Sequence, residues 1–192
     1  MNTIIQKFNQ LRDTSSDINE HLETLSQYAS KCNHVTELGV RGIVSTWAFL
    51  KGRPKTIISY DLKHPNECGG NLEEVIKAAE DASINFSFII GDSTKIIIEN
   101  TDLLFIDTWH TYDQLNKELN LHENKVNKYI ILHDTTLYEI IDEPFERTNS
   151  WNKTFIGGGL WKAVHEFLIK HKQWTIEKRY TNNNGLTILK KI

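Results

Sequence analysis

The sequence predicts an α/β domain, a seven-stranded and mostly parallel sheet with helices on both faces and a C-terminal antiparallel β-hairpin. Three observations carry this. Short apolar runs of strand length alternate with stretches of helical periodicity, the pattern of successive βα units. Two of the runs, residues 103–106 (Leu-Leu-Phe-Ile) and 129–132 (Tyr-Ile-Ile-Leu), are apolar throughout and fit strands buried on both faces of a parallel sheet. Near the C-terminus, Asn182-Asn183-Asn184-Gly185 separates two further strand-like segments, 174–179 and 186–189, and Asn-Gly is a strong hairpin signal. At 192 residues the chain fits a single domain with a full-sized core, and no repeat, low-complexity tract or linker divides it.

Composition narrows the function classes. A hydrophobic content of 39% and a charged content of 24% are ordinary for a soluble globular protein. The net charge of −3, with no Lys/Arg block, leaves no electrostatic footprint for nucleic acid. Cys32 and Cys68 have neither metal-ligand spacing nor the density of a disulfide framework, so they read as free thiols in a reducing compartment. There is no signal-peptide pattern and no apolar run near the ~18 residues of a membrane span. The expected setting is cytoplasmic, with no membrane partner.

In chain order, residues 3–12 place Ile4, Ile5, Phe8 and Leu11 on one helical face. After a break, Ser16 or Asp17 caps a second helix carrying Ile18, Leu22, Leu25 and Ala29. Residues 1–32 thus read as a helical cover, suited also to closing a pocket or forming a homodimer contact. The first strand, 35–38, runs into Gly39-Val40-Arg41-Gly42, and a helix with Trp47, Phe49 and Leu50 begins near Ser45. Strand, glycine turn, helix lets backbone N–H groups approach a ligand closely. Only Gly39 and Gly42 are present, so this is not the dinucleotide fingerprint. Glu37, directly before the turn, suits a cationic or amine-bearing ligand better than a pyrophosphate.

The second strand, 56–60, ends at Asp61, about twenty residues past the turn, where an acid commonly hydrogen-bonds both hydroxyls of a ribose. A solvated loop aspartate is the alternative. A polar connection with Pro65, Gly69 and Gly70 leads to a helix burying Leu72, Val75, Ile76 and Ala79. The third strand, 86–90, ends at Gly91-Asp92-Ser93, a loop that in such sheets lies beside an adenine. There Asp92 or Ser93 can bond the base.

The fourth strand stops abruptly at Asp107, with Trp109, His110 and Tyr112 close behind, and a helix over 112–123 buries Leu115 and Leu119. The fifth strand stops the same way at His133-Asp134. Neighbouring strands of this kind bring Asp107 and Asp134 together at the carboxyl edge, where open α/β sheets place ligands. Two such acids repel unless a cation or proton intervenes; capping of the following helices is their alternative role. His110, with an unperturbed pKa near ~6.5, is a candidate base, the alternative being a surface histidine at a helix start. His133 suits a ligand, a second base or a hydrogen-bonded wall residue. Residues 136–158 form a long connection, a lid expected to close with Pro144, Phe145, Trp151 and Phe155, and end in Gly157-Gly158-Gly159. The last helix turns Leu160, Trp161, Val164, Phe167 and Leu168 to the core.

Five βα units with an acidic glycine turn, closing in a hairpin, resemble the Rossmann-like fold of class I S-adenosylmethionine-dependent methyltransferases over residues 33–191. Residues 37–42 resemble the first motif of that fold, and Asp61 its ribose-binding acid. Segments 105–115 (FIDTWHTYDQL), 130–136 (IILHDTT) and 157–168 (GGGLWKAVHEFL) resemble a narrower group, the methyltransferase family 24 proteins related to macrocin O-methyltransferase and cephalosporin hydroxylase. The resemblance implies S-adenosyl-L-methionine as cofactor, contacted by Glu37, Gly39, Arg41, Gly42, Asp61, Gly91, Asp92, Ser93 and Asp107. It also implies O-methylation of a sugar or glycan hydroxyl. One departure stands out: the usual pattern has a glycine around position 43, and here Ile43 follows Gly42.

Residues 107–110 also resemble the Asp-x-Trp-Lys segment of catechol O-methyltransferases. That likeness implies a divalent cation, Mg²⁺ or Mn²⁺, held by Asp107 and Asp134 with His133 or Thr135 as third ligand. Such a cation lowers the pKa of a hydroxyl, and His110 and Asp107 are then the catalytic candidates. No large substrate domain is added, so a small molecule or the end of a glycan is the expected acceptor. Three alternatives remain beside this one. The acceptor is a catechol or other phenol; the chain is an iron-dependent hydroxylase using His110, His133 and the two acids; or it is a non-catalytic partner that keeps the fold.

Overall fold

The computed structural model describes residues 2–144 and 157–192. Among these residues seven strands form: β1 (His34–Leu38), β2 (Thr56–Asp61), β3 (Asn85–Ile90), β4 (Thr101–Ile106), β5 (Val126–His133), β6 (Trp174–Tyr180) and β7 (Leu186–Lys191). They hydrogen-bond as one sheet in the order β3-β2-β1-β4-β5-β7-β6. The first five are parallel, and β7 lies antiparallel between β5 and β6, as the Asn-Gly turn predicts. Helices α1 (Asn2–Asp13), α2 (Leu22–Ala29), α3 (Val44–Gly52), α4 (Leu72–Asp81), α5 (Tyr112–His122) and α6 (Gly159–Lys170) cover it.

The apolar residues divide between two cores. Helices α1 to α4 pack on one face with Val35, Ile57, Leu103, Phe105 and Ile131; α5 and α6 pack on the other with Leu38, Ile58, Leu104, Ile106 and Leu132. Successive strand residues point to opposite faces, so a central strand covered on both sides alternates between cores. That is why residues 103–106 need no polar member. The chain leaves β1 for α3 on one face and β4 for α5 on the other. The crevice between the carboxyl ends of β1 and β4 is therefore a topological switch point, the place where such sheets bind ligands.

Local details depart from the expected pattern where a step along a helix rotates a residue by about 100°. Ile4 and Phe8 are buried while Ile5 is 42% exposed, and in α4 Val75, Ala78 and Ala79 are buried while Ile76 is 39% exposed. The second helix starts late, after a short 3₁₀ turn (Asn19–His21), with His21 and not Ser16 or Asp17 at its N-cap; Ser16 Oγ instead accepts from the Asn19 N–H at 3.0 Å ahead of that turn. Cys32 and Cys68 are free thiols. No helix among the described residues is long and apolar enough to cross a membrane. Of the expected apolar lid residues, Phe145, Trp151 and Phe155 lie outside the described residues, and Pro144 is exposed.

The N-terminal cover is seated on the domain by a close helix approach. A Cβ on Gly52 would stand 2.5 Å from Ala29 Cβ and 2.7 Å from the Ser26 carbonyl oxygen. Gly52→Ala is thus expected to push α2 off α3 and destabilise the fold by roughly 1–3 kcal/mol. Urea denaturation measures this, and a variant as stable as the parent would show that the two helices do not press together.

Candidate active site

The turn after β1 is shaped by its neighbours. Asp107 N donates to Leu38 O at 2.9 Å, and Gly39, at φ +88°, is so near that a Cβ on it would overlap the Asp107 carbonyl oxygen. Only glycine fits there. Ile43, where the resembled pattern has glycine, takes the same left-handed conformation, with φ 65° and ψ 37°. This costs a β-branched residue about 1–2 kcal/mol. Its side chain is 2% exposed and packs against Gly70, which holds the strained backbone in place. The departure from glycine therefore leaves the turn intact. Asp61 fastens the turn from below: its Oδ2 accepts from Val40 N at 2.7 Å and Arg41 N at 2.9 Å, and its Oδ1 from Lys63 N at 3.1 Å.

Glu37 corrects an expectation. It is fully buried and accepts hydrogen bonds from Ser45 Oγ (2.5 Å), Thr46 Oγ1 (2.8 Å) and Ser59 Oγ (2.6 Å). It ties the first turn of α3 to β1 and β2 and is not among the residues lining the two clefts above. Burial drives its carboxyl pKa up to about 7 against the lowering effect of the three hydroxyls. The readable signal was the hydroxyl pair Ser45-Thr46 at the start of the helix.

Two adjoining clefts of about 230 and 580 Å³ open at the switch point, and Gly39, Arg41, Asp107 and Thr108 line both. The larger is walled by Asp61, Gly91, Asp92, Ser93, Trp109 and Gln114, so most of the residues expected around a nucleoside do come together. Asp92 is held near a pKa of about 2 by hydrogen bonds from Lys95 and Thr94. Behind Ser93 lies a polar network absent from the sequence reading. Fully buried Glu118 accepts from Ser93 Oγ (2.6 Å), Thr108 Oγ1 (2.8 Å) and Gln114 Nε2 (2.8 Å), and burial lifts its pKa to about 7 against these bonds. The spacing of Gln114 and Glu118, i and i+4 on α5, was its only trace.

The smaller cleft is walled by Gly42, Asp17, Ile18, His110, Asp134 and Glu143. The N-terminal cover thus contributes to the site, and Arg41 Nη2 meets Asp17 Oδ2 at 2.6 Å. Because β4 and β5 pair with Ile106 opposite Leu132, Asp107 leaves its strand level with His133, and Asp134 follows one residue later in a left-handed conformation. His110 joins them: its Nε2 lies 2.8 Å from Asp134 Oδ2 and 3.3 Å from Asp107 Oδ1, and its Nδ1 lies 2.9 Å from Glu143 Oε2. The imidazole stacks on Tyr138 at 4.8 Å between centroids and 4° between planes. Carboxylate oxygens of Asp107 and Asp134 and one nitrogen of His110 all lie within 4.8 Å of one another, a donor set that fits a divalent cation.

His133, expected as third ligand, stands behind this group. Its Nδ1 lies 3.1 Å from Asp134 Oδ2 and 3.3 Å from Asp107 Oδ1, and its Nε2 donates to the Asn183 carbonyl at 3.3 Å. Thr135, the other candidate, is fully buried and accepts from Thr187 Oγ1 at 2.9 Å. Asp134 reaches its position through a left-handed backbone, φ 57°.

Electrostatics revise the expected neutral base. Burial lowers the pKa of both histidines, but the surrounding carboxylates outweigh it, pushing His110 up to about 12 and His133 to about 10. Burial likewise raises Asp107 and Asp134, and the two imidazoliums overcome it and hold both well below the usual carboxylate range. His110 does not sit near 6.5, because each of its nitrogens faces a carboxylate.

No protein-family model matches the chain, and a comparison with curated proteins returns no match. Solved structures do share its fold. An O-methyltransferase from Bacillus cereus in complex with S-adenosylhomocysteine superposes with a TM-score of 0.66 at 13% identity, covering 100% of this chain and 91% of the other. TomG, an O-methyltransferase from Streptomyces achromogenes involved in tomaymycin synthesis and bound to S-adenosylmethionine, gives 0.65 at 12% identity, covering 98% and 89%. An S-adenosylhomocysteine-bound methyltransferase from Podospora anserina gives 0.61 at 14% identity, covering 100% and 88%. The seven-stranded methyltransferase fold is the one this chain adopts.

Glu37 offers a test of the buried site floor. Its folded pKa of about 7 lies above the ordinary 4.5, so its contribution is most favourable at low pH. That contribution falls by roughly 3 kcal/mol between pH 4.5 and 7, then stays level. Glu37→Gln removes this dependence. Relative to the parent, the variant is expected to gain stability on going from pH 5 to pH 7.5, as read by urea denaturation. An equal difference at both pH values would mean that Glu37 ionises as it does in the unfolded chain.

Proposed function

We propose that this protein is an S-adenosyl-L-methionine-dependent O-methyltransferase, assisted by a divalent cation and acting in the cytoplasm on a hydroxyl of a sugar or glycan. The observation that carries it is the Asp107–His110–Asp134 cluster beside a nucleoside-sized cleft, the two sharing Gly39, Arg41, Asp107 and Thr108. In this assignment the larger cleft takes the adenosyl group, with Asp61 on the ribose and Asp92 or Ser93 on the base. Gly39, Arg41 and Gly42 take the methionyl end. The sulfonium methyl would then be directed to the smaller cleft, where Asp107, His110 and Asp134 would align the acceptor hydroxyl, and such alignment supplies much of the acceleration. The sulfur–methyl bond would break as the oxygen–methyl bond forms, releasing S-adenosylhomocysteine, and the hydroxyl proton would pass to His110 Nε2 or, where His110 binds the cation, to water.

Asp107 and Asp134 would hold the cation, whose chemical contribution when bound is to lower the pKa of an acceptor hydroxyl. Two roles are open to His110, base and ligand; both use Nε2 without its proton, and they exclude each other. The cluster has two carboxylates and one imidazole, the inverse of the two-histidine, one-carboxylate triad of iron oxygenases, which disfavours the hydroxylase alternative. A phenolic acceptor is the second choice, since a catechol would also chelate a cation held by Asp107 and Asp134.

The test is calorimetric titration of S-adenosylhomocysteine into the protein with and without Mn²⁺ or Mg²⁺. Micromolar binding is expected, with Asp61→Ala weakening it at least about tenfold, or ~1.4 kcal/mol. Methyl transfer to a panel of sugars and phenols, with and without EDTA, follows. Absence of binding under every condition would end the methyltransferase assignment, and activity indifferent to EDTA would remove the cation from it.

A further inference from the structure

We infer that His110 is the third ligand of the cation, positioned by Glu143, and that the site therefore selects a first-row transition-metal dication over Mg²⁺. This rests on the cation part of the proposed function and not on its cofactor. The geometry begins with the tautomer. Glu143 Oε2 lies 2.9 Å from His110 Nδ1, and a carboxylate only accepts, so Nδ1 carries the proton. Nε2 lies 2.8 Å from Asp134 Oδ2 and 3.3 Å from Asp107 Oδ1, so it too carries a proton in the metal-free cluster; a cation entering between the two aspartates would replace that proton at Nε2 while Nδ1–H stays on Glu143. A carboxylate behind the distal nitrogen is the usual support of a metal-bound histidine.

The support is rigid. The ring stacks on Tyr138, and the Glu143 N–H donates to the His110 carbonyl at 2.9 Å, so the two residues are joined through backbone as well as side chain. His133 cannot exchange roles with His110. Its Nε2 is tied to Asn183, its side chain is 1% exposed, and its Nδ1 serves the same two carboxylates as a donor from behind.

An imidazole in the donor set decides the metal. Mg²⁺ favours oxygen ligands and keeps several waters, whereas the ions from Mn²⁺ to Zn²⁺ accept imidazole readily. Two carboxylates alone would discriminate only modestly; the nitrogen sharpens the preference.

The experiment uses the full chain stripped with chelator and titrated separately with MgCl₂, MnCl₂ and CoCl₂. Co²⁺ is expected to bind about a hundredfold or more tighter than Mg²⁺. Spin-echo spectra of the Mn²⁺-loaded wild type are expected to show nitrogen hyperfine coupling from one imidazole, a readout that needs no variant. His110→Gln should abolish that coupling and cost Co²⁺ at least about tenfold while Mg²⁺ changes little. Glu143→Gln should keep the coupling and weaken Co²⁺ by about 10–100-fold. Equal affinity for Co²⁺ and Mg²⁺, no nitrogen coupling, or no cation binding would each overturn the inference. S-adenosylhomocysteine titrated into the same samples separates the two claims. Coupling without cofactor binding leaves this one standing and removes the methyltransferase, and the reverse removes only this one.

Discussion

Asp107 N bonds to Leu38 O across β1 and β4, and this pairing brings the backbone of one strand end against the other so tightly that position 39 has no room for a side chain. Everything at the site is referenced to that contact. It sets the height of the glycine turn, whose N–H groups at Val40 and Arg41 are gathered onto Asp61. It also aims Asp107 away from the sheet toward His110 and Asp134. A switch point is a gap in the helical cover, and here its two rims are the turn on one side and the acid–histidine cluster on the other.

The four acids beneath and within the site show how partners, and not burial alone, set ionisation. Glu37 and Glu118 are fully buried with hydroxyl and amide donors, and both rise to about 7. Asp107 and Asp134 face imidazoliums and are held below the usual range. Neutral donors offset only part of the desolvation of a carboxylate, whereas an opposite charge at hydrogen-bond distance exceeds it. The result is a floor of weakly ionised acids that hold structure, and above it a cluster of charged groups able to exchange a proton for a cation. Such a buried cluster is costly to assemble and is kept where its charges are used.

Of the seven non-glycine residues with positive φ among the described residues, three lie at the site. Arg41 and Ile43 in the turn, and Asp134 at the end of β5, all adopt positive φ without being glycine. Each is over-determined by its surroundings: Arg41 N is held by Asp61, Ile43 is buried against Gly70, and Asp134 is gripped by two histidines. Backbone strain of this kind clusters at ligand sites because the geometry demanded by the site outranks local preference.

The sequence by itself determined the sheet, its C-terminal hairpin, and the meeting of Asp107 with Asp134. Each follows from short-range information: an apolar run of strand length, an Asn-Gly turn, an acid at the first or second polar position after a buried strand. Only the tertiary structure decided the rest. Glu37, expected to contact the cofactor, is a buried tie because three hydroxyls from α3 and β2 converge on it. His110 displaced His133 from the front of the cluster because Glu143, thirty-three residues away, and Tyr138 fix its ring, while Asn183 of the terminal hairpin draws His133 back. These outcomes depend on which distant donors and acceptors share a small volume with a side chain. No local pattern encodes that, because hydrogen bonds and buried charges are satisfied in space and not along the chain.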